Sequence, residues 1–214
     1  LSAAAQRYWD QKAAQLTFTH PLNLGWIAAL PKRARILDYG CGYGRTLAEL
    51  SDAGWRNSVG VDSSAGMIER GRREHPELDL RATGATRLAE PDGAFDAALL
   101  FAVLTTIPDD ADQVAVMSEL RRLLAPRGWL YLSDYLLQED ERSLARYRAG
   151  SARHGVYGVW DREDGGVFRH QTREGLERLL AGFDVIAERQ VETTTFSGAP
   201  AIAIQVLARQ SSAD

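Results

Sequence analysis

The sequence is poor in cysteine: Cys41 is the only one among 214 residues. No intramolecular disulfide can form, so a reducing, cytoplasmic setting is the default expectation. No apolar run approaches the 18 residues of a membrane span, and no signal peptide stands at the start. The chain opens at Leu1 rather than Met, which leaves room for a natural segment before it. No run of five or more like charges occurs, and the net charge is −4. A nucleic-acid partner would want a basic face, so this balance speaks against one. The four histidines share no metal-ligand spacing, and no metal is expected. Repeats and low-complexity linkers are also missing. What is present is ordinary for a globular protein, with 45% apolar and 25% charged residues. A chain of this length buries a sizeable core, and a single domain spanning 1–214 is expected.

Hydrophobic periodicity supplies the elements. Residues 3–16 read as an amphipathic helix and 22–30 as a short one ended by Pro31, together a helical cap over 1–30. Strands are expected at 34–39, 58–61, 78–82, 97–101 and 129–133. Helices fall between them at 45–53, 64–73, with Ser63 as cap, and 112–124. This alternation predicts a parallel sheet with helices on both faces. The pattern then breaks. Residues 135–171 read as two helical turns and an irregular "GSARHGVYGVWDREDGG". A helix at 172–181 precedes strands 183–192 and 201–208, whose short link predicts an antiparallel pair at the sheet edge. The sum is a seven-stranded α/β sheet.

The stretch with the most chemistry is "RILDYGCGYGRTLAEL" at 35–50. A strand, a glycine turn and a helix form the setting of a nucleotide site, and an acidic residue, Asp62, follows Asp38 at the end of the next strand. Asp62 suits the two hydroxyls of a ribose, or else the cap of the next helix. The glycines fall at 40, 42 and 44, and Arg45 occupies the position where a dinucleotide site wants its third glycine. Asp38 at the strand tip would repel a pyrophosphate and attract an ammonium group. A methionine moiety presents such a group.

On these residues the chain resembles the class I S-adenosylmethionine-dependent methyltransferases. "LDYGCGYGR" is similar to their first motif and "VGVDSS" to their second. "FDAALLFAVLTTI" sits where the fourth strand and its loop belong, and "ELRRLLAPRGWLYLSDY" resembles the fifth-strand signature. The resemblance implies a Rossmann-like sheet of strand order 3-2-1-4-5-7-6, the last strand antiparallel, with S-adenosylmethionine across the strand tips. It implies Asp38, Gly40, Gly42 and Asp62 as cofactor contacts, with Ser63, Met67 and Phe101 beside them. "TGATRL" departs from the family's Gly-Asp-Ala, so Ala85 replaces the acid that meets adenine, and backbone groups of Ala85 or Thr86 are expected to read the base instead.

The acceptor is expected to be a small organic molecule, methylated at oxygen, nitrogen or sulfur. "FAVLTTIP" has neither the Asn-Pro-Pro-Tyr type of motif for adenine nor a Pro-Cys nucleophile for cytosine. Acceptor contacts are expected from the N-terminal segment and from 135–171, a lid insertion. Tyr8, Trp9, Tyr135, Tyr157 and Arg169 are the candidate pocket residues, and His20 and His170 the candidate bases. "FTHPLN" and "YGVWDREDGGVFRH" also resemble a group of small bacterial methyltransferases, which implies no particular acceptor. A nicotinamide-dependent oxidoreductase and a non-catalytic cofactor-binding partner are the alternatives.

Overall fold

The computed structural model describes residues 3–195 and 198–211. The outermost residues of the expected 1–214 domain, and 196–197 in the last strand link, lie outside the described residues. Five parallel strands, β1 (Ile36–Tyr39), β2 (Ser58–Asp62), β3 (Asp79–Ala82), β4 (Phe95–Phe101) and β5 (Leu124–Tyr135), form one sheet. It continues into β9 (Pro200–Gln210) and β8 (Phe183–Thr194), with β9 antiparallel to both neighbours. The order is β3-β2-β1-β4-β5-β9-β8. Two short strands, β6 (Val159–Asp161) and β7 (Val167–Arg169), pair only with each other. With that hairpin set aside, the order is the expected 3-2-1-4-5-7-6.

Side chains alternate across the sheet and divide the core in two. Leu37, Val61, Leu100 and Leu132 pack on one face against α4 (Asp110–Leu123) and α6 (Arg173–Leu179). Ile36, Ala97, Leu99 and Tyr131 pack on the other, against Leu47 and Leu50 of α2 (Arg45–Asp52) and Ile68 of α3 (Ala65–Glu74). Val116, Met117, Leu120 and Leu123, three and four residues apart along α4, turn their apolar side chains to the sheet. The Asp109 carboxylate starts that helix by accepting from Ala111 N and Asp112 N. All four residues of β1 are buried, so its C-terminal tip opens into the molecule rather than into water.

Several boundaries differ from expectation. α1 spans Ala3–Lys12 and stops short of residue 16. Residues 22–30 form successive turns, not a helix: bonds such as Trp26 N to Asn23 O (3.1 Å) and Leu30 N to Ile27 O (2.9 Å) close three residues apart. Asn23 Oδ1 takes the Gly25 amide (3.1 Å), a local side-chain bond that competes with helical pairing. Ser64, not Ser63, caps α3, its hydroxyl accepting from Met67 N (3.1 Å). The segment 135–171 is far more regular than expected. It holds a four-turn helix, α5 (Glu141–His154), and the β6–β7 hairpin.

α5 escaped the pattern because its buried face is Ser143, Tyr147 and Gly150, at helical spacing but with a single ring for apolar signal. Gly150 lets the helix meet β6 backbone to backbone. A Cβ there would sit 1.8 Å from Val159 O. We expect Gly150→Ala to force α5 off the hairpin and cost about 1–3 kcal/mol, read as a lower melting temperature. An unchanged melting temperature would show that the helix and hairpin part without consequence.

Candidate functional site

The glycine turn after β1 takes its shape from three left-handed residues. Gly40, Gly42 and Gly44 have φ of +80°, +56° and +84°. Gly40 N and Cys41 N both donate to Val61 O, at 2.8 and 3.0 Å, which ties the turn to β2. Asp62 completes the tie. Its Oδ2 accepts from Gly42 N and its Oδ1 from Ser64 N, both at 2.8 Å. Asp62 thus braces the turn and the segment before α3, whose cap is Ser64, and it lines the cavity above the turn. The N-terminal segment presses on the same turn, since a Cβ on Gly42 would meet the Phe18 ring at 2.6 Å.

Above the tips of β1, β2 and β4 lies a cavity that includes Asp38, Gly40, Gly42, Asp62, Ser63, Met67, Ala85, Thr86 and Phe101 in its lining. Asp38 is its electrostatic centre. It is 2% exposed, and its Oδ2 has no hydrogen-bond partner among the described residues. Burial pushes its ionisation from 3.8 up to about 7, Arg45 opposing and Asp62 adding to the rise. Burial also raises Asp62, against the pull of the two backbone amides. A buried carboxyl with an unfilled oxygen fits a group that brings a positive, hydrogen-bonding end. The ammonium of a methionine moiety is such an end, so the residues present fit S-adenosylmethionine.

A second cavity of about 790 Å³ adjoins the first. Trp9, Phe18, His20, Ala102 and Thr106 line both. Ala102, a non-glycine residue at φ +54°, turns the chain at this junction, where its amide donates to Ser133 O (2.7 Å). His20 Nδ1 lies 2.8 Å from Ser133 Oγ, its ring meets Tyr135 edge-on, and its Nε2 has no partner among the described residues. Burial, then Arg45, lowers its pKa to about 4. His170 stacks on the other imidazole's neighbour, Tyr135, and its Nδ1 lies 2.6 Å from the Tyr147 hydroxyl. Burial, then Arg146, lowers it to about 3. Both rings are neutral near pH 7.

Of the candidate acceptor residues, Trp9 and Tyr135 line the second cavity, while Tyr8, Tyr157 and Arg169 line neither. The Tyr8 ring is spent on Trp9 and Phe168, and its hydroxyl on Asp164 at 3.3 Å. Tyr157 is 42% exposed beside Tyr147. The Arg169 guanidinium clamps the start of α4, on Pro108 O (3.0 Å) and Asp110 (2.7 Å). The sequence reading missed Phe18, Arg45, Arg146 and Phe168 as lining residues. The signal for the last two was available only once α5 and the hairpin were known to be regular. Among the described residues, no group of three or more His, Cys, Asp or Glu side chains could hold a metal ion, and no helix is long and apolar enough to cross a membrane.

A glycine turn at the switch point between β1 and β4, with acids at the tips of β1 and β2, defines a Rossmann-like site of the S-adenosylmethionine-dependent methyltransferase type. The chain belongs to the methyltransferase-domain family, whose model matches residues 7–188. Its fold is similar to that of an S-adenosylmethionine-dependent methyltransferase from Methanosarcina mazei, with a TM-score of 0.84 and 22% identity over 91% of this chain and 100% of that one. It is also similar in fold to the 1,6-didemethyltoxoflavin N1-methyltransferase of Burkholderia thailandensis, with a TM-score of 0.63 and 21% identity over 98% and 79% of the two chains. By sequence it is 37% identical to a demethylmenaquinone methyltransferase of Beutenbergia cavernae over 101 residues, 47% of this chain and 40% of that protein. It is 30% identical to a ubiquinone biosynthesis O-methyltransferase of Paracidovorax citrulli over 142 residues, 62% and 58% of the two. The chain thus spans about half the length of these curated relatives.

Asp38 sets a stability dependence on pH. Its carboxyl ionises at 3.8 in the reference state and near 7 in the fold, so between these values the folded chain keeps a proton that the unfolded chain has lost. Its stabilising contribution is full below 3.8 and is lost as pH rises through 7. Asp38→Asn is therefore expected to melt with the parent near pH 4 and well above it at pH 8. Melting temperatures across that range decide the matter; a gap that does not change with pH would mean that Asp38 is not held neutral.

Proposed function

We propose that the chain transfers a methyl group from S-adenosylmethionine to an oxygen, nitrogen or sulfur atom of a small organic molecule, of the secondary-metabolite kind, held in the second cavity. The observation that carries this reading is the buried, half-unpartnered Asp38 carboxyl beside the glycine turn. A carboxylate there receives the cofactor's ammonium, and the ammonium in turn keeps it ionised. Asp62 has lone pairs left over from its two backbone bonds for the ribose hydroxyls. Met67 and Phe101 would give the adenine apolar contact, Ser63 would lie beside the cofactor, and the backbone of Ala85 and Thr86 would read the base. The curated relatives are named for demethylmenaquinone and for ubiquinone biosynthesis, which supports a small organic acceptor.

The bound sulfonium supplies an activated methyl group, and the chain's own residues do the rest. Trp9 and Phe18 roof the junction of the cavities and keep water from it. Ala102, Thr106 and His20 shape the passage along which the acceptor atom must approach in line. The N-terminal segment and the 135–171 insertion act as one lid. The Lys12–Asp164 ion pair (3.0 Å) and the Tyr8 bond to the same carboxylate couple them. His20 touches both cavities and His170 only the second. They are the two imidazoles facing the acceptor.

Calorimetry tests the reading. S-adenosylhomocysteine is expected to bind and NAD not to. Asp38→Asn should weaken binding about tenfold or more, although the same variant gains stability at pH 8. Binding near pH 6 should release a proton as Asp38 ionises. NAD binding in place of S-adenosylhomocysteine would sink the proposal.

A further inference from the structure

The hydrogen bonds around the second cavity fix where its imidazoles carry their protons. The Tyr147 hydroxyl accepts from Gln138 N (3.1 Å) and faces an Arg146 nitrogen at 3.5 Å that can only donate. Its own proton therefore goes to His170 Nδ1, and the His170 ring proton sits on Nε2. His20 follows the same logic. Gln205 is fixed in orientation, because Arg189 Nε donates to its Oε1 (2.9 Å) and Pro21 O accepts from its Nε2 (2.6 Å). That Nε2 also donates to Ser133 Oγ (3.3 Å). Ser133 then gives its proton to His20 Nδ1, as no other acceptor bonds it among the described residues. The His20 Nε2–H is left buried and without a partner. Both rings pack on Tyr135, with centroids 4.7 and 5.0 Å away, so the two donors belong to one wall.

Arg146 adds a charge to that wall. Its guanidinium lies 4.1 Å from the centre of the Trp160 ring, and its Nε is buried with no partner. No carboxylate bridges it among the described residues, although acids line the same cavity. Two of those acids are engaged elsewhere: Asp161 bonds His154 (2.9 Å) and meets Arg153 (3.4 Å), and Asp164 meets Lys12 and Arg162. Asp140 caps α5 through Ser143, and Arg146 helps that bond hold its carboxyl low without forming an ion pair with it. Glu163 stands exposed in the hairpin turn.

Resting on the methyl-transfer reading, we propose that the acceptor binds as an anion, a phenolate or enolate, received by the Nε2–H groups of His20 and His170 with the Arg146 guanidinium beside them, and that no protein base deprotonates it. Trp9, Tyr135, Trp160 and Phe168 give its ring system apolar walls. This revises the expectation that the two histidines act as bases: each presents a donor, not a lone pair. Burial keeps both rings neutral and so preserves that role. In the transfer itself, an oxygen lone pair of the anion forms the new C–O bond. The methyl–sulfur bond breaks with its electron pair going to sulfur, and no proton moves.

Nitrophenols and hydroxynaphthoates are suitable probes, because their anions absorb at longer wavelength than the neutral forms. With S-adenosylhomocysteine present, a bound probe is expected to show its anion spectrum at about one pH unit or more below its solution pKa. Arg146→Met should lower anion affinity about tenfold and Arg146→Lys should retain part of it, with S-adenosylhomocysteine affinity unchanged in both. Nitrogen-15 spectra of histidine-labelled chain should place the proton on Nε2 of His20 and His170 from about pH 5 to 8. A neutral bound probe, an indifferent Arg146→Met, or a proton on His20 Nδ1 overturns the proposal. Failure of every probe to bind while S-adenosylhomocysteine binds overturns it alone; failure of S-adenosylhomocysteine overturns the methyl-transfer reading with it.

Discussion

A carboxyl buried at the centre of a parallel sheet is costly unless something meets it. Asp38 is in that position: β1 is flanked by β2 and β4, Asp38 pairs in register with Gly60 and Leu99, and one of its oxygens has no partner among the described residues. The neighbouring features follow from that constraint. The chain must turn sharply two residues on, at Gly40, to leave space over the carboxyl, and three left-handed glycines provide the turn. Asp62 must hold that turn without filling the space, and it does so through backbone amides rather than through a cation. Arg45 is the nearest charge that lowers the Asp38 pKa, but it bonds Glu49 and the His20 carbonyl, so it eases the carboxyl without neutralising it. The site is thus destabilised in a way that a cationic ligand relieves.

How much of this was legible in the sequence depended on what encodes each part. The sheet and its helices are written in side-chain period, and Leu37 and Ile36 fell to opposite faces as alternation requires. The cofactor cavity is written in residue types with few substitutes: an acid at a strand tip, glycines at alternate positions, a second acid on the next strand. The second cavity is written in neither. Its walls come from α5, whose buried face is Ser143, Tyr147 and Gly150, and from a hairpin of two three-residue strands. Such elements form because they pack on one another, and contact of that kind leaves no period to read. Tyr8 and Arg169 were misplaced for the same reason. Rings and guanidinium groups suit a pocket, but they also suit the joints that build it.

The two cavities are coupled through the end of β5. Three successive residues there point alternately to opposite faces and hold three different parts of the site. Ser133 holds His20 through its hydroxyl. Asp134, buried and pushed up to about 7, accepts from Thr105 N with one oxygen (3.2 Å) and from Tyr135 N with the other (2.7 Å). It thereby fixes the short turn at Leu104–Thr106, whose last residue lines both cavities. Tyr135, back on the face of Ser133, supports the two imidazoles. The adjoining strand β9 locks the arrangement, since Gln205 pairs with Ser133 in register and reaches past it to the carbonyl of Pro21. A strand tip, not a loop, therefore sets the distance between the two cavities. Orientation is the main thing a protein can contribute to an in-line displacement. It is the property that an interior strand, braced by β4 on one side and β9 on the other, supplies best.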